Sequence, residues 1–356
     1  MDEASVLERL LRQYSPSGHE ESAVAEFRRL ARALGYRART DRVGNGIAET
    51  GRGRPLVLFL GHIDTVEGDR PVRRARGKIY GRGAVDAKGA LAAALVAGQG
   101  FSGPGTFRVV AAVGEETDSR GARHLARGPA PDALIAGEPS GWNGVTIGYK
   151  GDLRLEATFS GPRRHWSSPF PTATDLALSW TAGVREIAQA HSAESPFRSL
   201  SAKAVGCSSD PSADPESATV TMDLRLPPGL STGEVLAKLP TSPRRPRVRV
   251  LVRIEPAEIP RSDPVAVALC AAIRDAGGQP TLWRRTGTSD LNLVSRAWGI
   301  GGAAYGPGDS RLDHTDRELL SAAELRRAAG VLRGALDRLT RPPAGATTPL
   351  PVAGVP

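Results

Sequence analysis

Residues 61–66 hold a histidine and an aspartate in a spacing that suits metal chemistry. They follow an apolar run, residues 55–60, which predicts a buried parallel strand. Side chains alternate along a strand, so His62 and Asp64 point the same way at its carboxyl end, where open α/β sheets place their ligands. His62 could bind a metal through one ring nitrogen while Asp64 orients the imidazole. For this pair alone, a structural histidine at a strand end is an equal alternative.

Four further carboxylates lie at the ends of predicted helices and strands. They are Asp86 at the start of an alanine-rich helix, Glu115 and Glu116 after the strand 107–113, and Glu138 after the strand 132–136. Each has an ordinary alternative, a helix cap for the aspartate and a solvated acidic turn for the paired glutamates. Adjacent glutamates also diverge, so one can bind a metal while the other moves a proton. With His62, and with His314 before a final helix over 322–339, they form a donor set suited to zinc, cobalt or manganese.

The elements that must position these residues indicate an α/β chain in two parts. A metal-bearing catalytic domain is expected from 1–149 and 258–340, and residues 150–257 interrupt it. The interruption shows a β-α-β-β-α-β-like order, which predicts a small inserted α+β domain of ferredoxin-like type. Residues 341–356 are rich in proline, alanine, glycine and threonine, and we expect them to be disordered.

Composition narrows the class of protein. The 356 residues are 40% hydrophobic and 24% charged, as in ordinary globular proteins. No apolar run approaches the roughly 20 residues of a membrane span, and the N-terminus lacks the features of a signal peptide. Cys207 and Cys270 fit neither a disulfide framework nor a cysteine metal site. A cytoplasmic protein without membrane association is expected.

The chain is basic, with a net charge of +9, and only five of its 47 basic residues are lysine. A compositional bias toward arginine explains this most simply, and attraction to an acidic partner is the functional alternative. Nucleic acid is not expected as that partner. The basic residues are spread along the chain, aromatic residues are only 5%, and no nucleic-acid-binding motif is present.

Five motifs occur in an order that resembles the aminoacylase/carboxypeptidase family of dinuclear zinc hydrolases, which includes acetylornithine deacetylase and succinyl-diaminopimelate desuccinylase. They are GHIDTV, GRGAVDAKG, GEE, GEP and LDHT, between residues 61 and 315. Further stretches, among them GEPSGWNGVTIGYKG (137–151) and AYGPGDSRLDHT (304–315), resemble most closely the hydrolases that release lysine or ornithine from an amino-group carrier protein. The resemblance implies a zinc-exopeptidase-like catalytic domain with a central mixed sheet, and an inserted lid and dimerisation domain.

The resemblance also implies roles for the matching residues. Asp86 would bridge two zinc ions, with His62 and Glu138 completing one site and Glu116 and His314 completing the other. Cobalt could substitute for zinc, because it accepts the same ligands. Glu115 would be the general base, taking a proton from a water whose pKa two cations lower from about 15.7 toward 7. Asp64 would support His62.

The resemblance also implies roles for residues that do not bind metal. His165 would stabilise the oxyanion from the partner subunit of a homodimer, although Trp166 replaces the small residue usual after this histidine. Its alternative is a surface histidine. Arg225 would bind a substrate carboxylate, and its alternative is a solvent-facing strand residue. Thr288, Ser289 and Asn292, in a polar loop with Asp290, would line the substrate pocket unless they form a helix N-cap cluster.

The implied activity is hydrolysis of the amide that joins lysine or ornithine to the C-terminal glutamate of an acidic carrier protein, the last step of carrier-dependent lysine or arginine biosynthesis. The two amino acids differ by one methylene, worth about 1–3 kcal/mol in a pocket, so both are candidates. Three alternatives remain. They are a deacetylase of small N-acetyl-ornithine or N-acetyl-lysine, a carboxypeptidase or dipeptidase, which the YKG and GPGDS stretches disfavour, and a non-catalytic binding protein, which the intact ligand set disfavours.

Overall fold

The computed structural model describes residues 1–241 and 244–341, so the predicted tail lies outside the described residues apart from Arg341. The helices are α1 (Glu3–Leu11), α2 (Glu21–Ala33), α3 (Lys88–Ala97), α4 (Arg120–Leu125), α5 (Ala173–Ala190), α6 (Thr232–Lys238), α7 (Pro264–Asp275), α8 (Asp290–Trp298) and α9 (Ala322–Thr340). None of these helices is long and apolar enough to cross a membrane.

The strands of the described residues form three sheets. In chain order they are β1 (Arg37–Thr40), β2 (Gly46–Arg52), β3 (Leu56–His62), β4 (Arg73–Ala75), β5 (Lys78–Tyr80), β6 (Gly105–Ala112), β7 (Ala133–Ala136), β8 (Gly144–Tyr149), β9 (Gly151–Gly161), β10 (Ser201–Asp210), β11 (Glu216–Leu226), β12 (Arg247–Ile254), β13 (Ala257–Glu258), β14 (Thr281–Arg285), β15 (Ala303–Ala304) and β16 (Leu319–Ser321). The largest sheet has nine strands in the order β1-β2-β6-β3-β7-β15-β8-β13, with β14 also pairing to β8.

This nine-stranded sheet is mixed, and its middle is parallel. Strand β3 pairs in parallel with β6 on one side and β7 on the other. Its side chains alternate between two buried clusters, with Val57 and Phe59 facing α1, α2, α3, α7 and α9, and Leu58 and Leu60 facing α4 and α8. Helices therefore cover both faces, which explains why β3 is an uninterrupted apolar run. The α/β class with a central mixed sheet is confirmed.

A second sheet, of order β10-β11-β9-β12, is antiparallel throughout. Along β9 the apolar residues Leu153, Leu155, Ala157 and Phe159 are buried, while the intervening residues are more exposed. Helices α5 and α6 share a separate apolar cluster with this buried face. Helix α5 begins in a capping box between Thr172 and Asp175. The elements follow one another in the order β9-α5-β10-β11-α6-β12. The sequence pattern placed all of them except β10.

The remaining sheet is small, with order β16-β5-β4. It joins two distant parts of the chain, because Leu319 to Ser321 pair with Tyr80 to Lys78. The loop after β5 and the loop before β16 are thereby brought side by side. Both loops carry predicted metal ligands, Asp86 and His314.

Candidate metal centre

His62 ends β3 and is 1% exposed. Its Nδ1 lies 3.1 Å from the backbone carbonyl of Asp64, and 3.5 Å from the Asp64 carboxylate. The carbonyl is thus the nearer partner of the two. A donated Nδ1–H leaves Nε2 free to bind a cation, which is the tautomer that a metal ligand requires.

Asp86 lies at the centre of two groups of donor atoms. Its Oδ1 is 3.0 Å from Nε2 of His62, and its Oδ2 is 3.1 Å from Nε2 of His314. His62, Asp86 and Glu138 form one group, and Asp86, Glu116 and His314 form the other, with donor atoms within 4.8 Å of one another in each. Atoms that share one zinc ion at about 2.0–2.2 Å lie roughly 3–3.5 Å apart. The structure therefore brings the five predicted ligands together as two groups with a shared carboxylate.

The Asp64 carboxylate holds the acidic turn that follows β6. It accepts hydrogen bonds from the backbone N–H groups of Glu115 and Glu116, each at 3.1 Å, and from the hydroxyl of Ser17 at 2.7 Å. These bonds hold the backbone from which the two glutamate side chains project. The sequence predicted that Asp64 supports His62. The structure shows that Asp64 also holds the turn that carries Glu115 and Glu116.

The electrostatics of the site fit divalent cations. Burial raises the pKa of Glu115 and of Glu138 well above the ordinary range, and it raises the pKa of Asp313 to about 8. Hydrogen bonds to Asp86 and Glu116 raise the pKa of His314 to about 10. Several carboxylates crowd around the two imidazoles, and a bound cation would neutralise their negative charge. The chemistry of the donor set thus suits zinc or a similar ion.

A cavity of about 840 Å³ opens over the two groups. Its walls come from both larger sheets, with Asp86, Glu115, Glu116, Glu138 and His314 on one side and residues of β9, β11 and β12 on the other. Glu115 therefore faces both the donor atoms and the space that a substrate would occupy. That placement suits a group that moves a proton.

Arg225 lies in this cavity wall, on β11. Its guanidinium forms two hydrogen bonds with Asp223, at 2.8 and 3.0 Å, and its Nη1 lies 3.4 Å from the Thr288 hydroxyl. Thr288 and Ser289 also line the cavity. Arg225 is thus held by its strand neighbour and directed toward the opposite wall.

Ser289 and Asn292 form a capping box at the start of α8, which was the alternative interpretation of this loop. Asn292 is 2% exposed and is not among the described residues that line the cavity. Its Nδ2 donates to the carbonyls of Lys150 and Glu255, at 3.2 and 2.9 Å. These carbonyls lie where the chain enters and leaves the four-stranded sheet. The structure therefore places Asn292 at this double crossing, away from the substrate space that the sequence predicted for it.

The structure does not bring His165 to the donor groups. It lies in the exposed loop between β9 and α5, where its Nδ1 contacts the Ser167 hydroxyl at 2.8 Å. It is not among the described residues that line the cavity. Its neighbour Trp166 is 84% exposed.

Sequence reasoning missed charged residues of the cavity wall, notably Asp152 and Arg154 on β9 and Arg285 on β14. Asp152 pairs across the sheet with Arg225, and Arg154 with Asp223. Charged residues that alternate with buried leucines along β9 could have revealed this wall, because period-two alternation marks the face opposite the core.

Comparisons with known proteins identify the family of this chain. The sequence model of peptidase family M20/M25/M40 matches residues 58–338. The LysW-lysine hydrolase of Deinococcus radiodurans is 36% identical over 339 residues, 91% of this chain and 93% of the relative. A Pyrococcus furiosus protein with the provisional name LysW-lysine/LysW-ornithine hydrolase is 36% identical over 336 residues, 94% of this chain and 96% of the relative. The M20 family metallo-carboxypeptidase Sso-CP2 from Sulfolobus solfataricus shares the fold, with a TM-score of 0.79 and 16% identity over 96% of this chain and 100% of that one.

Proposed function

The chain belongs to peptidase family M20/M25/M40, and on this premise we propose that it hydrolyses the amide between lysine or ornithine and the C-terminal glutamate of an amino-group carrier protein. Similarity to hydrolases named for LysW-lysine and LysW-ornithine, over more than nine-tenths of the chain, carries this proposal. The carrier would be LysW or its equivalent. The reaction would complete carrier-dependent lysine or arginine biosynthesis.

The cofactor of this proposal is a pair of zinc ions in each chain, for which cobalt could substitute. His62, Asp86 and Glu138 would hold one ion, and Asp86, Glu116 and His314 the other. Support comes from the shared aspartate, whose two oxygens face different histidines. When bound, two such ions polarise the scissile carbonyl and make a water more acidic.

The chain's own residues then carry the proton transfers. Glu115 accepts a proton from the attacking water, whose oxygen forms a bond to the carbonyl carbon. The carbon–nitrogen bond breaks, and Glu115 returns the proton to the leaving amine. Burial is the main cause that raises the pKa of Glu115, and a raised pKa makes a carboxylate a stronger proton acceptor.

His165 and Arg225 complete the proposed machinery. His165 would donate a hydrogen bond to the carbonyl oxygen as negative charge develops there. It would do so from the partner subunit of a homodimer, which accounts for its distance from the donor groups of its own chain. Arg225, held by Asp223 in the cavity wall, would bind a substrate carboxylate.

The proposed domain roles follow from the same geometry. Residues 1–149 and 258–340 would form the catalytic domain, and residues 150–257 a lid that also forms the dimer contact. The four-stranded sheet with its separate apolar cluster supports this division. The net charge of +9 would steer an acidic carrier to the enzyme, so kcat/KM for a carrier-linked substrate should fall as salt rises.

The proposal is tested by a release assay with the zinc-loaded enzyme. Four substrates would be offered side by side, namely carrier charged with lysine, carrier charged with ornithine, N-acetyl-lysine and N-acetyl-ornithine. Strong preference for a charged carrier supports the proposal and identifies the amino acid. Equal or faster turnover of the acetylated amino acids would instead make the protein a small-molecule deacetylase. Turnover of none would reject both hydrolase activities and leave a peptidase or a binding protein.

A further inference from the structure

A buried ion pair lies directly behind the two donor groups. The Arg82 Nη1 and the Glu318 Oε2 are 3.0 Å apart, and their side chains are 4% and 1% exposed. Neither residue lines the cavity or belongs to a donor group. An ion pair withdrawn from water to this degree is costly unless further hydrogen bonds satisfy both partners. The further hydrogen bonds of this pair therefore show which parts of the chain it holds in place.

The Glu318 carboxylate accepts hydrogen bonds from the backbone of the loop that carries Asp86. It accepts hydrogen bonds from the N–H groups of Gly83 at 3.0 Å, Val85 at 2.9 Å and Asp86 itself at 3.1 Å. With Arg82, four donors converge on two oxygens. Hydrogen bonds to a charged acceptor are about twice as strong as neutral ones, so this carboxylate fixes the loop's path. Gly83 permits that path, since its φ is +85° and a Cβ there would lie 2.8 Å from Thr65.

Arg82 extends the same network to the other ligand loop. Its Nη1 donates to the carbonyl of Thr315 at 3.1 Å, and its Nε donates to the carbonyl of Gly68 at 3.1 Å. Thr315 directly follows His314, whose φ of +61° lies in the left-handed region that non-glycine residues seldom adopt. Surrounding contacts must hold a residue in such a conformation. The Arg82 contact to Thr315 is one of them.

We propose that Arg82 and Glu318 are positioning residues that set the separation of Asp86 and His314, and thereby the affinity of the protein for its metal ions. The two loops are far apart in sequence, and the ion pair bonds directly to the backbone of both. This inference rests on the metal centre of the proposed function and is independent of the substrate. The pair touches neither substrate nor metal, and it acts through the residues that do.

A matched control is available nearby. Glu324, in the first turn of α9, accepts hydrogen bonds through Oε1 from the backbone N–H groups of Trp142 at 3.2 Å and Gly308 at 2.9 Å. It too is a carboxylate that ties backbone segments together. It differs in making no hydrogen bond to a residue of the donor groups. A general loss of loop order would affect both glutamates alike, whereas the positioning role belongs to Glu318.

The test is a Co²⁺ titration of the full chain, followed by the visible absorption of the bound ion, with thermal unfolding of each metal-free variant measured alongside. Glu318→Gln keeps the size of the side chain but offers a donor where backbone N–H groups need an acceptor. We expect its affinity for Co²⁺ to fall about 10- to 100-fold, with altered absorption bands. Arg82→Lys keeps the charge but loses the forked geometry, so a smaller loss is expected. Glu324→Gln should bind like the wild type.

The results distinguish a positioning role from a general structural role. A folded Glu318→Gln variant with wild-type affinity and spectrum would overturn the inference, and so would equal losses in the Glu318 and Glu324 variants. If Glu318→Gln does not fold, Arg82→Lys decides, because unchanged affinity there would also overturn it. A wild-type protein that binds no Co²⁺ would reject the proposed metal centre itself, which is distinguishable from failure of the positioning role alone.

Discussion

The carboxyl edge of the nine-stranded sheet and the loop between β9 and α5 each present a histidine that the proposed reaction requires, in opposite settings. At the sheet edge, His62 is 1% exposed and has hydrogen-bond partners on both ring nitrogens. In the loop, the His165 side chain is exposed, and among the described residues its ring forms hydrogen bonds only with Ser167. Trp166 beside it is 84% exposed.

The difference shows what one chain can and cannot assemble. Buried partners fix the donor groups at the sheet edge, so the fold of a single chain is sufficient to form them. The exposed loop lacks such partners, so a catalytic role for His165 requires a further surface to order it. Under the proposed function that surface belongs to a second copy of the chain. The predictions below separate these two regions, from the largest expected effect to the smallest.

The largest effect is expected at the sheet edge. Glu115→Gln removes the proposed proton acceptor while preserving side-chain size, so kcat should fall at least about 10²–10⁴-fold. Metal content should stay at the wild-type value, because Glu115 belongs to neither donor group. Steady-state kinetics and elemental analysis check both parts. Asp118→Asn, at an exposed position of the same cavity wall, is the control. Full activity in Glu115→Gln would refute the assigned base.

The loop histidine should matter for kcat and not for folding. His165→Ala is expected to lower kcat about 10²–10³-fold, the cost of losing one oxyanion donor. Its thermal unfolding should match that of the wild type, because the side chain is exposed. Replacement of His19, another exposed histidine, is the control.

Mixing two inactive variants tests where His165 acts. If it serves the partner's site, refolding His165→Ala together with Glu115→Gln creates dimers with one intact site. Random pairing in a twofold dimer then restores about a quarter of wild-type activity. No recovery in the mixture would place His165 in the site of its own chain, or outside catalysis.

Asn292 bonds both chain segments that link the nine-stranded sheet to the four-stranded sheet. Asn292→Ala leaves the Lys150 and Glu255 carbonyls without this donor, and unsatisfied buried polar groups cost about 1–3 kcal/mol each. We expect a loss of that order in the free energy of unfolding, measured with urea. Asn143→Ala, which removes an exposed hydrogen bond to Gln279, should cost under about 0.5 kcal/mol. Similar values for both would contradict the assigned role of Asn292.

The smallest effect, taken per pH unit, concerns Lys88, a fully buried residue two positions after Asp86. Burial lowers its pKa to about 7 in the folded protein, against about 10.4 for an unfolded lysine. Between pH 10 and 7 the unfolded chain therefore binds the extra proton, and the free energy of unfolding should fall by at most about 1.4 kcal/mol per pH unit as pH decreases. Below pH 7 this contribution should level off. Urea unfolding at several pH values measures the slope, which Lys88→Met should reduce and Lys78→Met, at an exposed lysine, should not.

The sequence anticipated the sheet edge well, for a physical reason. Strands β3, β6 and β7 are apolar runs that end in polar groups, and parallel strands bring their carboxyl ends to one edge. Strand β10 was not placed, because its residues are exposed and show no apolar alternation. The two-residue strands β13 and β15 are also too short to produce a pattern, and neighbouring strands define them.

The roles of some residues could not be predicted from the sequence, because they depend on contacts with residues far away in the chain. Asn292 resembled a pocket residue in its polar loop, but its direction depends on α8 meeting both crossings at Lys150 and Glu255. Asp64 was assigned to His62, its neighbour in the chain, and its bonds to Glu115 and Glu116 follow from the adjacency of β3 and β6. These roles can be assigned only when it is known which strands and helices are neighbours in the fold.

Under the proposed function, one chain builds a two-ion centre around the shared Asp86. The most direct test is a crystal structure of the zinc-loaded protein with anomalous data collected at the zinc edge. We predict two peaks on either side of the Asp86 carboxylate, one within about 2.0–2.2 Å of His62 and Glu138 and the other at that distance from Glu116 and His314. A single peak, or zinc bound away from Asp86, would contradict the account.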